Sequence, residues 1–319
     1  KPGEKMTVKT KNGKVRPLHI IQTTWCDLVV GSTDNYSRDP KHRCQCSIKQ
    51  TWKWNKAIKP ADERMLVRCV FPELVLSRNE VSVPNSCNRN KLLGLMYANV
   101  PMINSGKSIL LNCDRPIMMS YLKRAADKCE PKPIPVIPQQ FFCSPQSFFY
   151  AQKFPAVVKY DNGHAGVGKI KVSDHKMMED AKSILPIVKH ATAEIFINGE
   201  CDLRLQMIGN NMRMMKRISV SGDWKTNTGC SILEDIPKDD KNYKNYEHWL
   251  KAASTMFGEG EEDRMDILTL DFIVERETEK MWCLELNGSS SGLNTSDEKT
   301  VIEDNGHIAN LVLDRIAKL

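Results

Sequence analysis

Residues 162–172 read NGHAGVGKIKV, and the way this stretch folds decides the architecture around it. Gly163, four intervening residues, Gly168 and Lys169 nearly spell a P-loop. A P-loop continues with Ser or Thr for Mg²⁺ and with a helix whose N-terminus faces phosphate. Here Ile170, Lys171 and Val172 follow, an apolar–polar alternation that predicts a strand. With Ala156–Lys159 (AVVK) as the strand before them, the glycines close a β-hairpin. Such a hairpin has no helix dipole to offer. It can still fold over a triphosphate, because glycine admits positive φ and close approach of the backbone. Lys159, which ends the first strand, then places a compact cation beneath the loop. A glycine hairpin without a ligand satisfies the same letters, so the rest of the chain has to decide.

The C-terminal third supplies a second constellation. ILTLDFIV (267–274) and MWCLEL (281–286) alternate like strands and are joined by ERETEK, which predicts a hairpin. Period-2 alternation puts Glu285 and Asn287 on one face, and a register pairing Asp271 with Glu285 adds a second carboxylate there. Two carboxylates and an amide oxygen are hard ligands suited to Mg²⁺ on nucleotide phosphates. Both acids lie within apolar runs, where an unpaired charge is costly. A decoy follows at once: Gly288-Ser289-Ser290-Ser291-Gly292 matches the G-x-S-x-G nucleophile elbow. The elbow needs a helix immediately afterwards, whereas LNTSDE follows, so a Gly/Ser loop is expected.

The chain has 319 residues, 41% hydrophobic and 27% charged, with a net charge of +7. That length points to two or three lobes of a globular protein. No apolar run reaches the ~18 residues that span a bilayer. The start, KPGEKMTVKTKNGK, lacks the apolar core of a secretory signal and reads as a basic tail over 1–14. Eleven scattered cysteines, with only Cys44 and Cys46 close in sequence, fit reduced thiols in a cytosolic protein.

Strand, helix and strand over roughly residues 15–110 predict a small parallel α/β lobe. Within it, Arg16–Val30 reads as a buried strand, then a turn and a helix or second strand. Asp114 caps a helix running through Lys128, and PKPIPVIP (131–138) is an extended linker or edge strand. Residues 111–197 form a lobe with the glycine hairpin, a helix from Ser173-Asp174 to about His190 and the strand AEIFI. Residues 198–319 form a second lobe, with a hairpin around Gly209, a helix at about 243–257, the acidic hairpin and a terminal helix. The polar run RISVSGDWKTNTG (217–229) offers Arg217, Lys225 and Asn227 to an anionic ligand.

The order FPAVVKY, GHAGVGKIKV, ATAEIFI, CDLRLQMIGNN and RISVSGDWKTNTG resembles the synapsins, within the ATP-grasp superfamily. Weaker similarity runs through LVLSRNE, ANVPMINS and NCDRP and covers most of residues 15–319. The resemblance implies an α/β (α+β) ATP-grasp fold behind a small pre-ATP-grasp domain. It assigns Lys159, Gly163, His164, Gly166, Gly168, Lys169 and Arg115 to phosphates, and Arg217 to the same end of the ligand. Glu194, Ile195, Phe196 and Ile197 become the adenine hinge, Asp202 lies near the ribose, and Asp271 and Glu285 hold Mg²⁺ or Ca²⁺. It names no catalytic residue. It implies an ATP-binding protein peripheral on the cytosolic face of synaptic or secretory vesicles, regulating vesicle clustering and neurotransmitter release. Self-association as a dimer or tetramer and a cytoskeletal partner come with it, and no nucleic acid. The alternative is a carboxylate–amine ligase working through an acyl phosphate. Arg115 stands where the family usually has lysine. Asn287 completes an E-x-N pattern of catalytic ATP-grasp ligases where synapsins have an apolar residue. The basic N-terminal phosphorylation segment and Pro-rich tail of familiar synapsins are not visible in this sequence.

Overall fold

A computed structural model describes residues 7–9, 13–33, 43–51, 65–83, 86–147, 153–163, 167–220, 224, 231–292 and 297–319. The first lobe begins with a ribbon of β1 (Thr7–Lys9) and β2 (Val15–Pro17). An antiparallel sheet of β3 (Leu28–Ser32), β4 (Cys44–Thr51) and β5 (Met65–Val70) comes next. Then follow β6 (Val75–Leu76), β7 (Ser82–Val83), β8 (Ser86–Cys87), α1 (Arg89–Tyr97), β9 (Met102–Ile103) and α2 (Gly106–Asn112). β6 and β9 pair in parallel across α1, the strand–helix–strand unit expected from the sequence, while the other described strands of this lobe pair antiparallel. Parallel pairing needs a crossover such as α1 supplies between β6 and β9. The β3–β4–β5 strands instead fold back on one another. The buried strand expected after Arg16 is absent from the described residues: Ile20 is 71% exposed, and the strand there is β3.

The lid lobe is a four-stranded antiparallel sheet in the order β10 (Gln139–Phe142), β13 (Ala191–Ile195), β11 (Ala156–Tyr160), β12 (Lys169–Val172). Alternation divides it into two unlike faces. Ala156, Val158, Tyr160, Val172, Ala191 and Ala193 pack with α4 (His175–Lys182) into an apolar core. The opposite face carries Val157, Lys159, Lys169, Thr192 and Glu194. Asp174 caps α4, accepting from the Met177 N–H at 2.9 Å. The helix ends at Lys182 rather than near His190, because Pro186 in the turn Leu185–Ile187 cannot donate and constrains the residue before it.

The second lobe is a five-stranded antiparallel sheet, ordered β16 (Ser231–Asp235), β15 (Asn211–Ser219), β14 (Gly199–Ile208), β17 (Ile267–Glu275), β18 (Met281–Asn287). On one face Leu203, Leu205, Met207, Leu268, Leu270 and Phe272 bury themselves against α5 (Tyr243–Ser254) and α3 (Arg115–Asp127). Trp249 of α5 is fully buried and stacks on Phe272 at 5.2 Å between centroids. Each fully buried Leu or Phe contributes about 1.5–3 kcal/mol here. α3 thus packs on this sheet, although the sequence reading groups it with the lid strands in residues 111–197. The Pro-rich 131–138 segment runs beside β18, with Cys283 donating to the Pro135 carbonyl at 2.7 Å and Ile137 to the Cys283 carbonyl at 3.0 Å. Both Ile134 and Ile137 are buried, so the segment is a sheet edge. The terminal helix α6 (Glu298–Lys318) lies over the far end of the second lobe, where Asp304 accepts from Gln206 and Arg213.

Candidate functional site

The polar faces of the two sheets look at each other across a cleft. Its walls include Lys159, Lys169, Glu194, Asp202, Arg204, Arg217, Asp271 and Glu285, with Val157, Ile197 and Ile273 as apolar floor. The cleft is open to solvent, with about 900 Å³ of non-atom space, that solvent included.

A β-bulge sets the acidic wall. Asp271 pairs with Glu285, but Phe272 pairs with Cys283, leaving Leu284 as the extra residue of β18. Cys283 and Glu285 share a parity in sequence, yet Cys283 is fully buried in the core while Glu285 faces the cleft. Bulges re-aim side chains in this way beside functional sites. The Asp271 carboxylate accepts from Arg204 at 3.0 and 3.3 Å and from Asn287 at 2.8 Å. Burial pushes the Asp271 carboxyl above its ordinary value, and Arg204 only partly offsets that. Glu285 is paired with Arg115 and lies 3.6 Å from the Lys169 ammonium. Burial alone would raise the Glu285 carboxyl as well, but Arg115, Lys169 and Lys159 outweigh it and hold it below the usual range.

On the lid, Lys159 pairs with Glu194 at 2.6 Å, and Gln139 donates to the other Glu194 oxygen at 2.7 Å. Glu194 therefore offers the cleft a carboxylate already committed to Lys159. Ile195, Phe196 and Ile197 line the cleft where the chain passes from lid to second lobe. The Lys171 ammonium lies 3.6 Å from the Phe196 ring centroid, and Trp224 meets the same ring edge-on at 6.1 Å. Asp202 and Arg217 stand directly opposite each other on β14 and β15.

Of the glycine loop, Gly163 and Gly168 are described, whereas His164 and Gly166 lie outside the described residues, as do Lys225 and Asn227. Gly168 takes φ +70°, a conformation that favours glycine. A Cβ on Gly163 would fall 2.3 Å from the Val167 carbonyl oxygen, a backbone atom that cannot swing away. Gly163→Ala is therefore expected to force the loop ends apart and cost about 1–3 kcal/mol. Urea unfolding checks it, and an unchanged midpoint would contradict the close approach of Gly163 to the Val167 carbonyl.

The sequence reading missed Arg204 as a site residue. Its signal was present in CDLRLQM, where Asp202, Arg204 and Gln206 alternate against Leu203, Leu205 and Met207. Arg204 also donates to Ser291, which lies 3.0 Å from the Thr269 hydroxyl. Arg78 of the first lobe holds the Ser289 and Ser291 carbonyls, and Ser290 donates to Glu80 at 2.6 Å. The serine loop after β18 is thus a brace between lobes, and among the described residues the next helix is α6. The described cysteines are free, and no described helix is long and apolar enough to cross a membrane.

A glycine hairpin on one sheet, a carboxylate hairpin on a facing sheet and an edge segment joining them define an ATP-grasp fold. Solved structures share it: a Staphylococcus aureus N5-carboxyaminoimidazole synthetase complexed with ADP matches with TM-score 0.53 at 14% identity, over 72% of this chain and 56% of its own. A Bacillus anthracis D-alanine–D-alanine ligase complexed with ATP matches with TM-score 0.50 at 12% identity, over 76% and 77%. The chain belongs to the synapsin family, whose domain described as "Synapsin, ATP binding domain" matches residues 104–318. It is 29% identical over 256 residues to the Drosophila melanogaster synapsin, covering 79% of this chain and 24% of that protein's length.

Proposed function

We propose that the cleft binds ATP together with a divalent cation, with the triphosphate under the glycine hairpin and the adenine against Ile195–Ile197. The observation that carries this reading is the pairing of two charged sheet faces. Lys159, Lys169, Arg204 and Arg217 line the cleft, with Arg115 behind Glu285. These cations suit an anion of high charge, for which Lys and Arg supply point and forked donors respectively. Asp271 and Glu285, on paired positions, would hold Mg²⁺ or Ca²⁺, with Asn287 beside them. Their donor set fits a hard cation. Among the described residues no three His, Cys, Asp or Glu side chains cluster as a metal site, so phosphate oxygens would complete the shell. When bound, the cation would neutralise charge on the phosphates. The protein's own residues orient the chain of phosphates and exclude water from it.

The family relationship supports a role as the ATP-binding core of a synapsin-like protein, peripheral on the cytosolic face of vesicles and self-associating. A ligase reading is favoured by Asn287, whose amide lies 2.8 Å from Asp271 and completes the E-x-N pattern. Calorimetry with ATP and Mg²⁺ tests the common core, with saturable binding expected and no heat of binding overturning it. An ADP-release assay with pooled amino acids and small carboxylates then separates the two roles, because the binding reading expects no release.

A further inference from the structure

Arg115 holds two parts of the cleft at once. One end of its guanidinium donates to Glu285, and the other donates to the Gly163 carbonyl at 3.1 Å. Its backbone N–H donates to Asn162 Oδ1 at 2.8 Å, and Asn162 donates to Asp114 at 3.2 Å. Asp114 carries no helix-capping bond and is gripped by Arg89 instead. The start of α3 therefore fixes both the base of the glycine loop and one carboxylate of the acidic pair. The Arg115 and Glu285 side chains are only 6% and 14% exposed, so solvent ions screen their attraction weakly. Lys169 adds a second positive charge at the same Glu285 oxygen. Across the hairpin, Arg204 already engages both Asp271 oxygens. A divalent cation arriving alone meets carboxylates whose charge is in use and a rim of positive groups that repel it.

We propose that Arg115 masks the acidic pair in the nucleotide-free protein, and that phosphate, rather than the metal, releases it. The inference rests on reading the cleft as a nucleotide site. A polyphosphate offers Arg115 and Lys169 anionic oxygens in exchange for Glu285, and Glu285 in turn exchanges its cations for the metal. Charge stays matched at each step, which a metal-first order does not allow. Gly163 shares the same guanidinium, so the base of the loop is re-seated in the same exchange. Arg115 is a positioning residue, and metal and nucleotide enter as a coupled pair.

Mn²⁺ titration without nucleotide, read by the electron paramagnetic resonance of free Mn²⁺, tests this. The proteins are the wild type, Arg115→Met and Arg115→Met/Glu285→Gln, each first shown to be folded by thermal unfolding. Arg115→Met is expected to bind Mn²⁺ about 10-fold more tightly than the wild type, and the added Glu285→Gln to remove the gain. In the wild type, a non-hydrolysable ATP analogue should raise Mn²⁺ affinity about 100-fold beyond the analogue's own chelation. If Arg115→Met does not fold, Arg115→Lys serves: one ammonium cannot bridge Gly163 and Glu285, and an intermediate gain is expected. Unchanged metal-only affinity in the folded variant would overturn the mask. So would wild-type metal binding as tight without the analogue as with it. Failure of the analogue to bind by calorimetry would instead overturn the nucleotide reading, while the metal-only comparison still decides the mask.

Discussion

Lys159→Ala is expected to lower the unfolding free energy of the nucleotide-free protein by about 3–5 kcal/mol. The ammonium lies 2.6 Å from Glu194, and each side chain is only 5% exposed. Burial pushes the Lys159 ammonium below its ordinary value, an effect that Glu194 opposes without cancelling. Alanine keeps the desolvation cost of Glu194 and deletes the charge that offsets it. Gln139 remains, but a neutral amide replaces little of a full positive charge. Lys159→Met/Glu194→Gln removes both charges at nearly constant volume and is expected to recover most of the loss. Urea unfolding of the wild type, the single variant and the double variant forms the comparison. A single variant within about 0.5 kcal/mol of wild type would mean that the pair is solvated in solution. Nucleotide affinity is then measured on the double variant, where stability no longer confounds it.

The same residues mark how far the sequence could be read. The Asp271–Glu285 pairing was legible only in its chemistry, two carboxylates in apolar runs, because counting from the turn past Phe272–Cys283 would set Asp271 opposite Leu284. The bulge at Leu284 was not, since period-2 counting cannot reveal an extra residue until the partner strand is in place. Arg204 was legible in principle. In CDLRLQM the alternation puts Arg204 on the face of Asp202. The partner of Arg204, Asp271, lies directly opposite on β17, a contact that local pattern does not specify. The end of α4 was announced by Pro186. The packing of α3 on the second lobe and the antiparallel β3–β4–β5 sheet depend on contacts between distant segments, which propensity does not encode.

Glu285→Gln tests the acidic wall with the largest effect on ligand binding. The substitution keeps shape and removes the charge that would hold a divalent cation against the phosphates. The ratio of ATP affinities with and without Mg²⁺ is expected to fall from about 100-fold to near unity. Metal-free affinity should hold or rise, because Arg115 and Lys169 are no longer engaged by a carboxylate. The pH dependence of stability gives an independent reading on the free protein. The folded Glu285 carboxyl sits below its ordinary value near 4.5, because Arg115, Lys169 and Lys159 outweigh the opposing effect of burial. Its contribution to stability is therefore complete above about pH 4.5 and is lost as the pH falls toward the lower folded value. Glu285→Gln should lose that contribution at neutral pH and show a shallower acid unfolding curve. Asp271, whose carboxyl is raised by burial and in part by the neighbouring Glu285 charge, responds to the substitution too, so Asp271→Asn placed in both proteins isolates the Glu285 contribution. A variant that keeps its Mg²⁺ dependence yet loses the acid slope would leave Glu285 as a structural partner of Arg115 alone. Loss of both would tie the ion pair and the cation to the same carboxylate.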